Sequence, residues 1–155
     1  MTTSAEIIAT LIERGYQIAV AESLTGGLLV AELIDTPGAS QVVVGGVVAY
    51  NTELKASVLN VDAGALAEHG AVHPDVAAQM ATGVRAALAL AAGPPHIGIS
   101  TTGVAGPEPQ DGQSVGTVYL GVALGGEVSV KRLSLTGSRA DIRSATVSEA
   151  LSELA

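Results

Sequence analysis

The apolar residues of this chain change period repeatedly, from helical spacing to short β-branched runs and back, with glycine or proline at most of the junctions. Residues 4–13 set Ile7, Ile8, Leu11 and Ile12 on one helical face, and Gly15 stops it. Residues 16–21 read as a short buried strand, 23–27 as a turn, and 28–34 as a helix. Pro37-Gly38 marks the next turn. Residues 42–50 are β-branched and predict a strand interrupted at Gly45-Gly46, a bulge or close-approach site. Short helices follow at 52–58, capped by Asn51 or Thr52, and at 63–69, ended by Gly70. Pro74 opens a longer helix over 75–91, stopped by Gly93-Pro94-Pro95. Then come a strand at 96–100, a Gly/Pro-rich loop at 101–116, and strands at 116–124 and 127–135 around a Gly125-Gly126 hairpin turn. A helix over 138–154 closes the chain. Alternation of this kind, with one hairpin near the end, predicts a single three-layer α/β/α domain over residues 1–155 with a mixed β-sheet.

Such a domain must be filled almost entirely by aliphatic side chains. Aromatics are 2% of the residues, and all three are tyrosines (Tyr16, Tyr50 and Tyr119). At 155 residues the chain is long enough to bury roughly 70% of its unfolded surface without a disulfide or metal staple.

Charge and composition exclude several function classes. The formal net charge of −8 and the lack of aromatic platforms argue against nucleic-acid binding. With no cysteine there is no thiol nucleophile, no disulfide scaffold and no Cys-ligated zinc site, which fits a cytoplasmic protein. The opening MTTSAEI has no basic region before an apolar run, so no signal peptide is expected. The apolar stretches fall short of the ~20 residues that span a bilayer, so no membrane association is expected. The P-loop and dinucleotide patterns are both missing. His69 and His73 are four apart, but Gly70 and Pro74 break a shared helix, and a metal site needs a third clustered ligand. These histidines read as helix-boundary residues.

Four segments hold candidate chemistry. In Ala21–Gly27 a strand gives way to a helix, so Ser23 sits near unsatisfied helix amides: it is either a nucleophile beside an oxyanion hole or, like Thr25, an N-cap. Glu22 is either a solvated charge or a brace for the turn's amides. Lys55 is one of only two lysines; it is either a solvated helix residue or, if desolvated, a general base. Tyr50 ends an apolar strand and reads as a core residue with an exposed hydroxyl. The segment from Ser100 to Pro107 follows a buried strand, where open α/β sheets bind ligands, yet it is equally an ordinary turn. Arg139 and Arg143 open the last helix against its dipole, pointing to an anionic ligand or, more simply, to an ion pair with Asp141 or Glu149.

Taken in order, AESLTGG, DTPGAS, GGVVAYNTELKASVLNV, HGAV and STTGVAGP followed by VGTV resemble the CinA C-terminal domain family from about residue 5 to 154. That family includes stand-alone nicotinamide mononucleotide deamidases. The resemblance implies an amidohydrolase that releases ammonia and nicotinate mononucleotide, with Ser23 as nucleophile, Lys55 as its base, and Tyr50 as the third catalytic residue. Substrate would be bound by Thr25, Gly26, Gly27, Gly45, Gly46, Thr102, Gly103 and Arg139. No metal or organic cofactor is implied, and a homodimer is.

Two departures stand out. Relatives carry a glycine-rich run after Ala-Gly-Pro, whereas this chain has a stiffer, acidic segment, Glu108 to Ser114; and His73 stands where relatives usually have serine. Larger relatives also have an N-terminal nucleotide-processing domain, so its activity is expected to be absent here. The other function class, a non-catalytic nucleotide-binding or interaction domain on the same fold, is favoured by the altered 108–114 segment and disfavoured by the intact Ser23, Tyr50 and Lys55.

Overall fold

A computed structural model describes residues 1–155. Strand β1 (Ile18–Glu22) is an interior strand of the sheet and is buried along its whole length. Its side chains alternate in size: Ile18 and Val20 face one side of the sheet, Ala19 and Ala21 the other. On the larger-residue side pack α1 (Ser4–Arg14), α2 (Leu28–Ile34) and α6 (Arg139–Glu153), through Ile7, Leu11, Leu29, Leu33, Ile142 and Leu151. On the alanine side pack α3 (Thr52–Ser57), α4 (Ala63–His69) and α5 (Pro74–Ala87), through Leu59, Leu66, Val76, Met80 and Val84. Each such aliphatic residue, fully buried, is worth about 1.5–3 kcal/mol of transfer free energy.

The sheet is five-stranded and mixed, in the order β2-β1-β3-β4-β5. Strands β2 (Val43–Val48) and β3 (Ile97–Gly103) flank β1 in parallel, and β4 (Thr117–Leu124) and β5 (Glu127–Ser134) complete it antiparallel. This is the expected α/β/α class. Helix α5 lies almost on the sheet backbone: a Cβ at Gly98 would come within 2.0 Å of the Ala81 carbonyl oxygen, and one at Gly121 within 2.4 Å of that of Ala77. Glycines and alanines at this contact replace the bulky aromatics that the chain lacks. No helix is long and apolar enough to cross a membrane.

The structure departs from the expected elements at four places. Strand β2 runs unbroken through Gly45-Gly46; its register slips one residue earlier, at Val44, as Ile18 pairs with Val43 and Ala19 with Gly45. Close approach does occur at Gly46, where a Cβ would stand 3.1 Å from that of Val30 on α2. Helix α5 ends at Ala87 rather than 91, because Leu90 and Gly93 bond reciprocally in a turn that feeds β3. Strand β3 extends to Gly103, because β4 supplies an antiparallel ladder for Ser100 to Gly103 that no local signal announces. A single 3₁₀ turn, Ala39–Gln41, precedes β2.

The chain leaves β1 through α2 to reach β2 on one side, and returns through α5 to place β3 on the other. A crevice therefore opens beyond the carboxyl ends of β1 and β3, where strand order reverses and α/β sheets bind ligands.

Candidate active site

Ser23 is the first residue beyond β1, and Thr102 and Gly103 end β3, so both strands deliver polar groups to this crevice. A cavity of about 330 Å³ occupies it, at the small end of the ~300–1,000 Å³ range of small-molecule sites. Ser23, Leu24, Tyr50, Asn51, Thr102, Gly103, Glu108, Gln110 and Arg139 are among its lining residues.

The turn carrying Ser23 is held from three directions. Glu22 is buried, and its carboxylate accepts from the amides of Leu29 at 2.9 Å and Val30 at 3.0 Å. It thereby caps α2, whose own N-cap, Gly27, has no side chain to do so. Glu22 is thus the brace, not a solvated charge. The Ser23 amide donates to the Thr101 carbonyl oxygen at 3.1 Å, and the hydroxyls of Thr25 and Thr101 are hydrogen-bonded at 2.8 Å. From α6, Arg143 donates through Nε to the Leu24 carbonyl oxygen at 2.8 Å and through Nη2 to that of Thr25 at 3.4 Å.

Behind Ser23 lies Lys55, only 1% exposed although it sits on a short helix. Asn51 caps that helix through the Glu53 amide, fixing the turn from which Lys55 points inward. Its Nζ donates to the Ala49 carbonyl oxygen at 2.7 Å, to that of Tyr50 at 3.4 Å, and to Ser23 Oγ at 2.9 Å. Desolvation lowers its pKa from 10.5 to about 8, against the opposing pull of the Asp111 carboxylate. In the neutral amine, the two carbonyls take the two N–H bonds and the lone pair faces the Ser23 hydroxyl. A buried lysine of lowered pKa in contact with a serine hydroxyl has the chemistry to take up that hydroxyl's proton.

Tyr50 meets Lys55 through its backbone. Its side chain is 61% exposed rather than packed in the core, and its hydroxyl accepts from Arg139 Nη2 at 3.1 Å. Arg139 also donates to the Gly106 carbonyl oxygen, linking the two rims of the cavity. Neither Arg139 nor Arg143 pairs with Asp141 or Glu149: Asp141 is taken up by the Ser138 capping box, and Glu149 pairs with Lys131 at 3.2 Å. The expected ion pairs are replaced by hydrogen bonds to backbone carbonyls and a tyrosine.

Several residues expected at the substrate do not line this cavity. Gly45 faces Leu88 and Gly46 faces Val30, because β2 is the edge strand and its middle passes under helices. Thr25 is fully buried against Thr101, and Gly26 and Gly27 lie on the side of the turn facing Arg143 and Val48. None of these five lines the cavity. The Gly26 amide is spent on the Ser23 carbonyl oxygen. Leu24, Ala105 and Gly106 line the cavity and their amides donate to no protein acceptor, which leaves them free to meet a ligand oxygen.

Sequence reasoning missed two contributors. Asp111 accepts from the Ala71 amide at 3.1 Å and is the carboxylate that acts on the charge of Lys55. Arg143 braces the serine turn; its only signal was a cation placed against a helix dipole. His73 caps α5 through the Asp75 amide at 3.2 Å and does not line the cavity.

The CinA C-terminal domain family model matches residues 1–155. A CinA-like protein of Frankia casuarinae is 46% identical over 145 residues, covering 94% of this chain and 32% of that protein. The chain spans about a third of the length of the curated relatives it matches. Among solved structures, a CinA superfamily protein from Klebsiella pneumoniae superposes with a TM-score of 0.89 at 34% identity, covering 97% of this chain and 92% of that one. The competence/damage-inducible protein CihA from Agrobacterium tumefaciens gives 0.89 at 32% identity, covering 97% and 90%.

Proposed function

The chain belongs to the CinA C-terminal domain family, and from that premise we propose that it is an amidohydrolase that converts nicotinamide mononucleotide to nicotinate mononucleotide and ammonia. The observation that carries this reading is the contact of 2.9 Å between Lys55 Nζ and Ser23 Oγ at the floor of the cavity.

Neutral Lys55 takes the Ser23 hydroxyl proton as Oγ bonds to the carboxamide carbon. The carbonyl electron pair moves onto oxygen, where the free amides of Leu24 and of Ala105 and Gly106 receive the charge. Collapse breaks the carbon–nitrogen bond, and the lysine ammonium returns its proton to the departing ammonia. Water then adds to the acyl-enzyme and gives a proton to Lys55. A second collapse frees nicotinate mononucleotide, and Lys55 reprotonates Ser23. Every proton is carried by Lys55; the phenol of Tyr50 is turned toward Arg139, so Tyr50 contributes its carbonyl to orient the amine. No step needs a cofactor.

Arg139 is the one cation among the lining residues and supplies local attraction for the phosphate against a net charge of −8. Glu108, lining the same cavity, opposes it. The altered 108–114 segment that carries it favours the second reading, a non-catalytic nucleotide-binding or interaction domain on the same fold.

Incubating the purified protein with nicotinamide mononucleotide in the presence of a chelator and measuring ammonia tests the proposal. Steady release is expected. Nucleotide binding without ammonia would support the second reading, and neither binding nor release would overturn both.

A further inference from the structure

We propose that His69, His73 and Asp75 form a binding site for a divalent transition-metal ion of the zinc class. The site stands apart from Ser23 and Lys55 and holds whether or not the chain hydrolyses an amide.

The backbone assembles it. His69 is the last residue of α4, Gly70 reverses the chain at a φ of 75°, and His73 caps α5. One nitrogen of each ring and one carboxylate oxygen of Asp75 all lie within 4.8 Å of one another. Zinc bonds of ~2.0–2.2 Å in a tetrahedral site leave ligand atoms roughly 3.3 Å apart, so closure requires movements of about 1.5 Å or less. The two rings are stacked, with centroids 4.0 Å apart and planes 8° from parallel. Stacked rings hold their lone pairs in parallel planes, so metal binding requires the half-buried His69 ring to leave the stack. Each ring has a carboxylate at hand: Glu68 lies 3.8 Å from His69, and Asp75 lies 3.8 Å from His73. Two imidazoles with a carboxylate suit zinc, nickel or copper rather than magnesium or calcium. Asp75 is the third ligand that the helical spacing of the histidines did not reveal.

The ion would clamp residues 69–75, whose middle forms one wall of the cavity. Ala71 accepts from the Thr102 hydroxyl at 2.7 Å and donates to Asp111. Metal binding therefore stiffens a wall of the candidate active site without entering it.

The test uses untagged, chelator-stripped protein and titrates zinc against a chromophoric chelator. His69→Gln and His73→Ser are compared with wild type; serine retains the ability to cap α5. We expect one equivalent bound, weakened at least tenfold in each variant, with magnesium without effect. Wild-type melting temperature should rise by roughly 5–10 °C at a hundredfold excess of zinc over the dissociation constant, and that of the variants should not. No binding up to about 100 µM zinc, or affinity unchanged by either substitution, overturns the proposal. If His73→Ser melts below wild type in chelator, His69→Gln alone decides.

Discussion

Lys55 Nζ lies 2.9 Å from Ser23 Oγ and 2.7 Å from the carbonyl oxygen of Ala49, so a buried amine is held against a hydroxyl by the backbone that precedes its own helix. With the pKa of Lys55 near 8, only about a tenth of the amine is neutral at pH 7. The rate of amide hydrolysis should therefore rise about tenfold per pH unit at low pH and level off above pH 8. A pH profile of kcat/KM on the proposed substrate checks this; a flat profile from pH 6 to 9 would contradict Lys55 as the base.

The same burial couples stability to pH. The folded-state pKa of Lys55 lies below 10.5, so the unfolded chain holds more protons between pH 8 and 10.5. Stability rises across that window as the penalty of a buried ammonium is relieved, by up to ~3 kcal/mol. Urea unfolding of wild type and Lys55→Met at pH 7 and pH 10 measures it. The gain with pH should be larger in wild type, because the variant lacks the titrating group.

Asp111 favours the charged form of Lys55, so Asp111→Asn should move the acid limb of the pH–rate profile to lower pH. Asparagine keeps an oxygen for the Ala71 amide and tolerates the left-handed backbone at φ 51°. Movement of the limb to higher pH would refute the electrostatic role.

The readable part of this site was what local signals specify. The helical face at Ile7, Ile8 and Leu11, the β-branched strands and the strand-to-helix turn at Ser23 were all visible, because each depends on residues a few positions apart. The α/β/α class followed from their alternation. The partners of Arg143 were not visible, since Leu24 lies 119 positions away and only packing of α6 beside α2 brings them together. The interior position of Lys55 was likewise open, because a six-residue helix has no amphipathic period long enough to announce its buried face. Gly45 and Gly46 were expected at the substrate on the family resemblance, while the glycines themselves signalled only a bulge or a close approach; the side chains that approach them are Leu88 and Val30.

Arg143 should act on position rather than chemistry. Arg143→Ala removes the hydrogen bonds to Leu24 and Thr25, leaving the serine turn free to shift; kcat is expected to fall about 10- to 100-fold with KM within about twofold. Partial recovery in Arg143→Lys, which restores one donor, would separate positioning from loss of fold.

Glu22→Ala strips two amides of α2 of their acceptor in a buried setting. A loss of about 2–4 kcal/mol is expected in denaturant unfolding, with activity reduced even in the folded fraction. A change below about 0.5 kcal/mol would show that α2 is capped without it.

The most direct measurement is ammonia release from nicotinamide mononucleotide by wild type, Ser23→Ala and Lys55→Ala, each verified as folded by circular dichroism. Activity should fall at least about a thousandfold in Ser23→Ala and roughly a hundredfold or more in Lys55→Ala. Turnover undiminished in Ser23→Ala would contradict the account at its centre.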